Sequence, residues 1–274
     1  MKVLPTVNYR HNTKVPFSEK NPLFIIRPKE ISVLNSSTSN LLATHSAVVS
    51  QESQAGGGSP NYRGMEANRL LLVVDGIPIN NAIYRSGHLQ SSATINPFFI
   101  RSVALLSGPA SVAYGNGAMG GALLFNTVNN SNKNNLSFHQ QYESSSNAVL
   151  LNLLSNYHYK KTSHVIGFSI KSMGNLKMGG KREHGYEDWG REAIATNGKE
   201  QLFTSYNQTD FIHKMSYRIT DLSLLLLNTQ YSSSSDIYRF DKMNDYNNGI
   251  SKYQKWYYGP QSRFFHSLSL TNQY

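Results

Sequence analysis

The chain has 274 residues, no cysteine, and 26 Lys and Arg against 16 Asp and Glu, for a formal net charge of +10. That length allows one or two domains with a real core. The missing cysteines exclude a disulfide scaffold, a thiolate zinc site and a cysteine nucleophile. Charged residues make up only 15% and apolar residues 39%; Ser, Asn, Gln, Thr, Gly and Tyr fill the balance, an odd mix for a compact enzyme. The positive charge does not point to nucleic acid. Lys and Arg are dispersed, no cluster exceeds an adjacent pair such as Lys181-Arg182, and no basic-aromatic array or zinc-finger spacing occurs. No apolar run approaches the roughly 20 residues of a membrane helix. The longest, Leu70–Val74 and Leu224–Leu227, are short, so a membrane role would have to be carried by strands. The start, Met1-Lys2-Val3-Leu4-Pro5, lacks the apolar core of a signal peptide.

Residues 1–130 mix apolar runs with Gly and Pro punctuation. Residues 29–33 and 39–43 have short helical character, with Ser39 and Asn40 as cap residues before Leu41-Leu42. Gly56-Gly57-Gly58 reads either as a flexible linker or as a tight turn needing positive φ. Leu70–Val74 is strand-length and ends in the turn pair Asp75-Gly76. Val103–Leu106 is a second strand, closed by Gly108-Pro109; residues 110–113 suit one helical turn, and Ala122–Thr127 is a third strand. Between them, Gly115-Asn116-Gly117-Ala118-Met119-Gly120 fits the form GxGxxG. A dinucleotide site needs a preceding strand, a helix opening on the glycines and an acidic residue about 20 residues on. Here a strand follows instead, and no acidic residue occurs between Gly121 and Gln141, so the match is coincidental.

Three blocks in this half resemble the plug domain of TonB-dependent outer-membrane receptors. They are Gly57-Gly58-Ser59-Pro60-Asn61-Tyr62-Arg63-Gly64, then Asn68 to Asn81 with its Leu70–Asp75-Gly76 core, then Gly108-Pro109-Ala110-Ser111 through Gly120-Gly121. The resemblance implies a plug seated inside a 22-stranded barrel, gating uptake of a scarce ligand with energy from TonB. The Asn80-Asn81 ending and Tyr84-Arg85-Ser86-Gly87-His88-Leu89-Gln90 lean toward iron-chelate or haem receptors rather than receptors for saccharides.

From residue 131 the period changes to two. Leu136, Phe138, Gln140 and Tyr142 alternate with Ser137, His139 and Gln141; Val149, Leu151, Leu153, Tyr157 and Tyr159 share one face of the next segment. His164, Ile166, Phe168 and Ile170 face away from Ser163, Val165, Gly167, Ser169 and Lys171, and Phe211, His213, Met215, Tyr217 and Ile219 away from Ile212, Lys214, Ser216 and Arg218. With 222–231 and 263–274 this makes about six strands of the length a tilted membrane strand needs. Apolar-out, polar-in alternation with Tyr at strand ends fits an outer-membrane barrel wall; a soluble sandwich or lipocalin-like barrel is the competing reading. The long polar connections follow strands three and five, and the connections at 160–162 and 220–221 are short. Long loops at one end and tight turns at the other are the barrel pattern.

The expected fold is therefore an α+β plug domain followed by an antiparallel transmembrane β-barrel portion, about six of 22 strands. Residues 1–14 would be an N-terminal remnant, 15–130 the plug and 131–274 the first barrel strands. Because open sheet edges are costly in lipid, the resemblance implies a fragment, a truncated product or part of a split frame. The segment that would engage TonB should precede the plug, where only Val3–Val7 stands.

No nucleophile–base constellation appears, and the scattered histidines show no ligand spacing, so neither enzyme activity nor an intrinsic cofactor or metal is expected. Asp75 and Arg63 are candidates for an ion pair inside the plug, either a latch to the barrel or a structural pair. Glu66 with Arg69 is a weaker candidate pair, and Arg101 could reach a barrel carboxylate. His88 is the sharpest ligand candidate, since imidazole binds haem iron; Tyr84 and Arg85 suit an anionic iron complex. Tyr186, Trp189, Tyr238, Arg239, Trp256 and Tyr257 offer aromatic and basic contact surface in the outer loops, or an interfacial aromatic girdle. The partners implied are the TonB complex, outer-membrane lipid and a ferric siderophore or haem, and the location implied is the outer membrane of a Gram-negative bacterium. A saccharide receptor or a non-transporting remnant is the alternative.

Overall fold

A computed structural model describes residues 22–28, 36–51, 56–66, 69–79, 91–108, 111, 113–177, 196–197, 199–248 and 250–272. In chain order the first half contains β1 (Phe24–Ile26), helix α1 (Thr38–Ala43), β2 (Val48–Gln51), β3 (Ser59–Tyr62), β4 (Leu70–Val74), β5 (Ile77–Pro78), β6 (Ile100–Leu106) and β7 (Gly121–Thr127). Five of these strands form one sheet in the order β1-β6-β7-β4-β5, with β4 and β7 parallel. That sheet is buried on both faces. Leu70, Leu72 and Val74 pack with Val103, Leu105, Leu123, Phe125 and the helix residues Leu41 and Leu42, while Leu71 and Val73 pack with Ala104, Leu106, Ala122 and Leu124. Two covered faces explain why β4 reads as an unbroken apolar run rather than an alternating one.

Helix α1 is capped by Ser37, whose hydroxyl accepts from the Asn40 amide at 3.1 Å. Ser39 and Asn40, the expected caps, lie inside the helix, because Thr38 already has helical backbone and Ser37 is the extended residue before it. The Gly56–Gly58 segment is not an unconstrained linker: Gly56 has φ +73°, and the Gly58 carbonyl accepts from the Ser92 hydroxyl. The glycines at 115–120 form a short 3-10 turn leading into β7. The helical character expected at 29–33 lies outside the described residues.

The second half is a six-stranded antiparallel wall. Its strands are β8 (Asn135–Glu143), β9 (Ala148–Tyr159), β10 (Thr162–Met173), β14 (Tyr206–Arg218), β15 (Ser223–Ser234) and β20 (Ser262–Asn272), each paired with the next. The long connections carry short pieces: β11 (Leu176–Lys177), β12 (Thr196–Asn197) and β13 (Glu200–Gln201) in the first; β16 (Ile237–Tyr238), helix α2 (Phe240–Met243), β17 (Tyr246–Asn247), β18 (Ile250–Ser251) and β19 (Tyr257–Tyr258) in the second. Both long connections leave from one end of the wall, which also carries the β8–β9 turn, and the β9–β10 and β14–β15 turns lie at the other. Leu136, Phe138, Leu151, Ile166, Phe168, Phe264, Leu268 and Leu270 are exposed on one face. On the opposite face Leu150, Asn152, Val165, Ser169, Lys171, Gln208, Asp210, Ile212 and Gln230 are buried. The apolar side chains thus face outward and a largely polar face is covered by the plug, the inverse of a soluble sandwich. No helix among the described residues is long and apolar enough to cross a membrane, which leaves crossing by strands open.

A small hydrophobic cluster joins the two parts. Phe99 and Val128 pack against Leu154, Val165 and Ile212 of the wall. Gly167 of β10 makes room for it: a Cβ there would stand 2.6 Å from Phe99 Cε1 and 2.7 Å from Ile212 Cγ2. Gly167→Val is therefore expected to weaken the assembly by about 1–3 kcal/mol through overpacking, read as a lower urea midpoint of the detergent-folded chain. An unchanged midpoint would mean that the ring does not sit over Gly167.

Candidate functional site

The densest chemistry lies on the seam between plug and wall. Asp75 follows β4 at φ 47° and precedes Gly76 at φ 84°. Such a pair makes the tight turn of a hairpin, and Asp tolerates the left-handed conformation better than most residues. The turn aims the carboxylate at the wall. Oδ1 accepts from the Thr127 amide at 2.9 Å, and Oδ2 accepts from the Thr127 hydroxyl at 2.7 Å. From the wall, Asn228 Nδ2 donates to Oδ2 at 2.8 Å and Gln230 Nε2 at 3.0 Å. Lys214 Nζ stands 3.1 Å from the same oxygen, with both side chains largely buried.

The partner of Asp75 is thus Lys214 of β14 rather than Arg63. Arg63 is exposed at the end of β3, with its guanidinium over the Tyr62 ring at 5.2 Å. Burial pushes the Asp75 carboxyl up, but the Lys214 charge and the hydrogen bonds from Thr127 and Asn228 outweigh it, so the group is held below its ordinary value. A carboxyl with a depressed folded-state pKa stabilises above its unfolded value and loses that contribution as pH falls through the folded one. Hydrogen-exchange protection factors at the β4 and β7 amides should accordingly be constant from about pH 5 to 8 and fall below about pH 4. Loss of protection on raising the pH from 6 to 8, with none on acidification, would contradict the assignment.

Glu66 and Arg69 meet through their backbones, the Arg69 amide donating to the Glu66 carbonyl at 3.1 Å. Arg101 does not stand against a barrel carboxylate among the described contacts. With the Asn129 amide turned to satisfy its neighbours, the guanidinium donates to its oxygen at 2.9 Å, because β6 presents Arg101 toward the chain leaving β7.

A second polar group lies toward the long-loop end of the seam. Asn96 Nδ2 donates to Asp210 Oδ2 at 2.8 Å and to Ser169 Oγ at 2.8 Å; Gln208 Nε2 donates to Asp210 Oδ1 at 3.0 Å and to the Ala93 carbonyl at 3.0 Å. Arg263 reaches the Thr94 hydroxyl at 3.1 Å and the Thr94 carbonyl at 3.0 Å, and Lys171 reaches the Ser36 carbonyl at 2.8 Å. These wall residues occupy inward positions of the alternating strands, and that pattern is the only mark they carry in the sequence.

In the long loops, Tyr238, Arg239 and Trp256 come together. Tyr238 and Tyr257 pair across β16 and β19, their ring centroids 5.2 Å apart; Phe203 lies 6.0 Å from Tyr238, and Trp256 meets Tyr253 edge-on at 4.6 Å. The Arg239 amide donates to the Trp256 carbonyl at 3.1 Å. Tyr84, Arg85, His88, Tyr186 and Trp189 lie outside the described residues.

Residues 19–122 match the family model of the TonB-dependent receptor plug domain. The chain is similar to the haem transporter BhuA of Brucella ovis, 38% identical over 79 residues, a stretch covering 27% of this chain and 12% of that protein. It is also similar to haem/hemopexin utilization protein C of Haemophilus influenzae, 30% identical over 94 residues, 32% of this chain and 13% of that one. Among solved structures, a variant of the ferric enterobactin receptor PfeA of Pseudomonas aeruginosa superposes with a TM-score of 0.69 at 18% identity, over 94% of this chain and 40% of that one. The siderophore receptor PirA of Acinetobacter baumannii gives 0.58 at 21% identity, over 80% and 32%. The chain therefore spans well under half the length of the receptors it resembles. Residues 19–122 thus match the TonB-dependent receptor plug domain, and the plug together with the antiparallel wall shares the fold of the solved receptors.

Proposed function

We propose that the chain is part of an outer-membrane receptor that takes up an iron chelate or haem with energy from TonB. The observation that carries this reading is the seam itself: among the described residues the plug is held by one small apolar patch, by separable hydrogen bonds and by the Lys214–Asp75 pair against the inner face of a wall whose other face is apolar. Polar contacts of this kind can be exchanged for water as the plug moves, whereas a continuous apolar interface could not be opened as readily. The similarity to a haem transporter and to a siderophore receptor supports an iron-bearing ligand over a saccharide.

In this reading the loop surface around Tyr238, Arg239 and Trp256, with Tyr84, Arg85 and His88 on the plug side, captures the ligand. TonB then draws on the plug, and the ligand passes along the wall. The reaction is transport, with no bond made or broken in the ligand. Uptake of labelled haem and of labelled ferric siderophore by cells expressing the chain tests it, with saccharides as competitors. Uptake that depends on TonB and is competed only by iron compounds is expected. Binding confined to a sugar would overturn the proposal. Trp256→Ala and Tyr238→Ala should each weaken ligand binding about tenfold, as loss of an aromatic anchor does, read by fluorescence titration of the folded chain.

A further inference from the structure

Among the described residues, the plug-covered part of the wall's inner face carries three cations, Lys171 on β10, Lys214 on β14 and Arg263 on β20; Arg218 shares the face but is exposed at the turn end of β14. Each is held by an acceptor that belongs to the plug. Lys171 Nζ donates to the Ser36 carbonyl, Lys214 pairs with Asp75, and Arg263 donates to the Thr94 hydroxyl and carbonyl, keeping one contact within the wall, to Gln230 Oε1 at 3.2 Å. The wall supplies one described carboxylate among them, Asp210, which is itself held by Asn96, Gln208 and neighbouring hydroxyls. Arg263 also has a buried nitrogen, Nη1, with no hydrogen-bond partner among the described residues.

The three cations are stepped rather than level. Strand register sets Lys171 opposite Gln208, and Arg263 opposite Ser232, which in turn faces Asp210. Lys214 lies four residues beyond Asp210 along β14, about 13 Å farther from the loop end at ~3.3 Å per residue.

We propose that these cations form an anion track on the wall, masked by the seated plug and opened when the plug shifts. Its ligand class is a small molecule bearing several oxyanions, carboxylate or phenolate. The inference rests on the transport reading above and adds to it how cargo would pass. Plug withdrawal removes the Asp75 charge and the carbonyls of Ser36 and Thr94 together. The formerly covered stretch of wall is left with three cations around Asp210, and the next described inward carboxylate is Glu143 at the loop end of β8. Buried ammonium and guanidinium groups that lose their acceptors need replacements, and a passing oxyanion supplies them in sequence from the loop end inward. Both groups suit this because they donate to oxyanions, the two ammoniums as point charges that fix no ligand geometry and the guanidinium as a planar fork matched to a carboxylate.

Pyrene tetrasulfonate is the probe, followed by fluorescence anisotropy on the full chain folded in detergent. With the plug seated, binding should be weak. Asp75→Asn loosens the plug and should tighten binding about tenfold, a change of the size that one or two unmasked charges give. Adding Lys214→Gln and Arg263→Gln to that variant should return binding to the wild-type level. If Asp75→Asn fails to keep its strand content by circular dichroism, Thr127→Val takes its place, stripping one hydrogen bond from the same carboxylate with a smaller gain expected. Haem and a ferric tris-catecholate are then added in separate titrations. Displacement by haem assigns the track to carboxylate cargo and displacement by the catecholate to phenolate cargo; displacement by neither overturns the proposal. No tightening in either loosened variant, or tightening that survives loss of Lys214 and Arg263, also overturns it. The uptake assay stands apart: transport without unmasking removes the track and keeps the receptor, while unmasking without iron uptake keeps the track and removes the iron cargo.

Discussion

Replacing Lys214 with methionine should lower the stability of the plug–wall assembly by about 3–5 kcal/mol, the usual cost of leaving one partner of a buried ion pair uncompensated. Lys214 and Asp75 are only 12% and 14% exposed, so water cannot take over the lost contact. The seam is more sensitive here than a simple pair, because Asp75 also gathers Thr127, Asn228 and Gln230. Those three donors stay after the substitution and soften the loss without replacing the charge. Asp75→Asn on top of Lys214→Met removes the orphaned charge and should recover a good part of the stability. Urea unfolding in detergent, with β4 and β7 hydrogen exchange reporting on the plug, measures both. A double variant whose loss equals the sum of the separate Lys214→Met and Asp75→Asn losses would show that Lys214 and Asp75 are not coupled.

Phe99→Ala should cost a similar amount, about 3–5 kcal/mol, by a different route. Phe99 is 5% exposed and joins Val128, Leu154, Val165 and Ile212 in the apolar patch of the seam. Its removal opens a cavity bounded by wall strands that are locked in register and cannot collapse onto it. The ring also overlies Gly167, which offers a specific check. Gly167→Val and Phe99→Ala should each destabilise alone, while the double variant should recover part of the loss as the valine occupies the vacated volume. Strictly additive losses would show that the two positions do not share one space.

Local pattern carried much of the architecture. The alternation in residues 135–171 and 211–231 marks which side chains face outward, because a strand offers only two faces and the outward and plug-facing positions differ sharply in polarity. The unbroken run at 70–74 is equally legible once its sheet is covered on both sides. Helix α1 was harder to bound. Ser37, Ser39 and Asn40 are all good capping types, and only the backbone at Thr38 decides among them.

The seam was legible only in part. Asp75 stands out in the sequence because a turn pair and a charge coincide there. Its partner does not: Lys214 is one of several inward polar residues on its strand, 139 positions away, and nothing local separates it from Arg63, which is close in sequence. Partner choice depends on where β14 passes the β4–β5 turn, and that is set by the docking of plug on wall. Lys171 and Arg263 were hidden for the same reason, since their acceptors are backbone carbonyls that carry no residue-type signature.

The low charge, absent cysteine and plentiful Ser, Asn, Gly and Tyr follow from a glycine-turned plug and a two-faced wall, and the sequence by itself determines both through composition and period. Which plug atom neutralises which wall cation is decided by tertiary structure alone. Hydrophobic periodicity records the environment of each face, whereas an ion pair records the meeting of two surfaces, and no single strand contains that information.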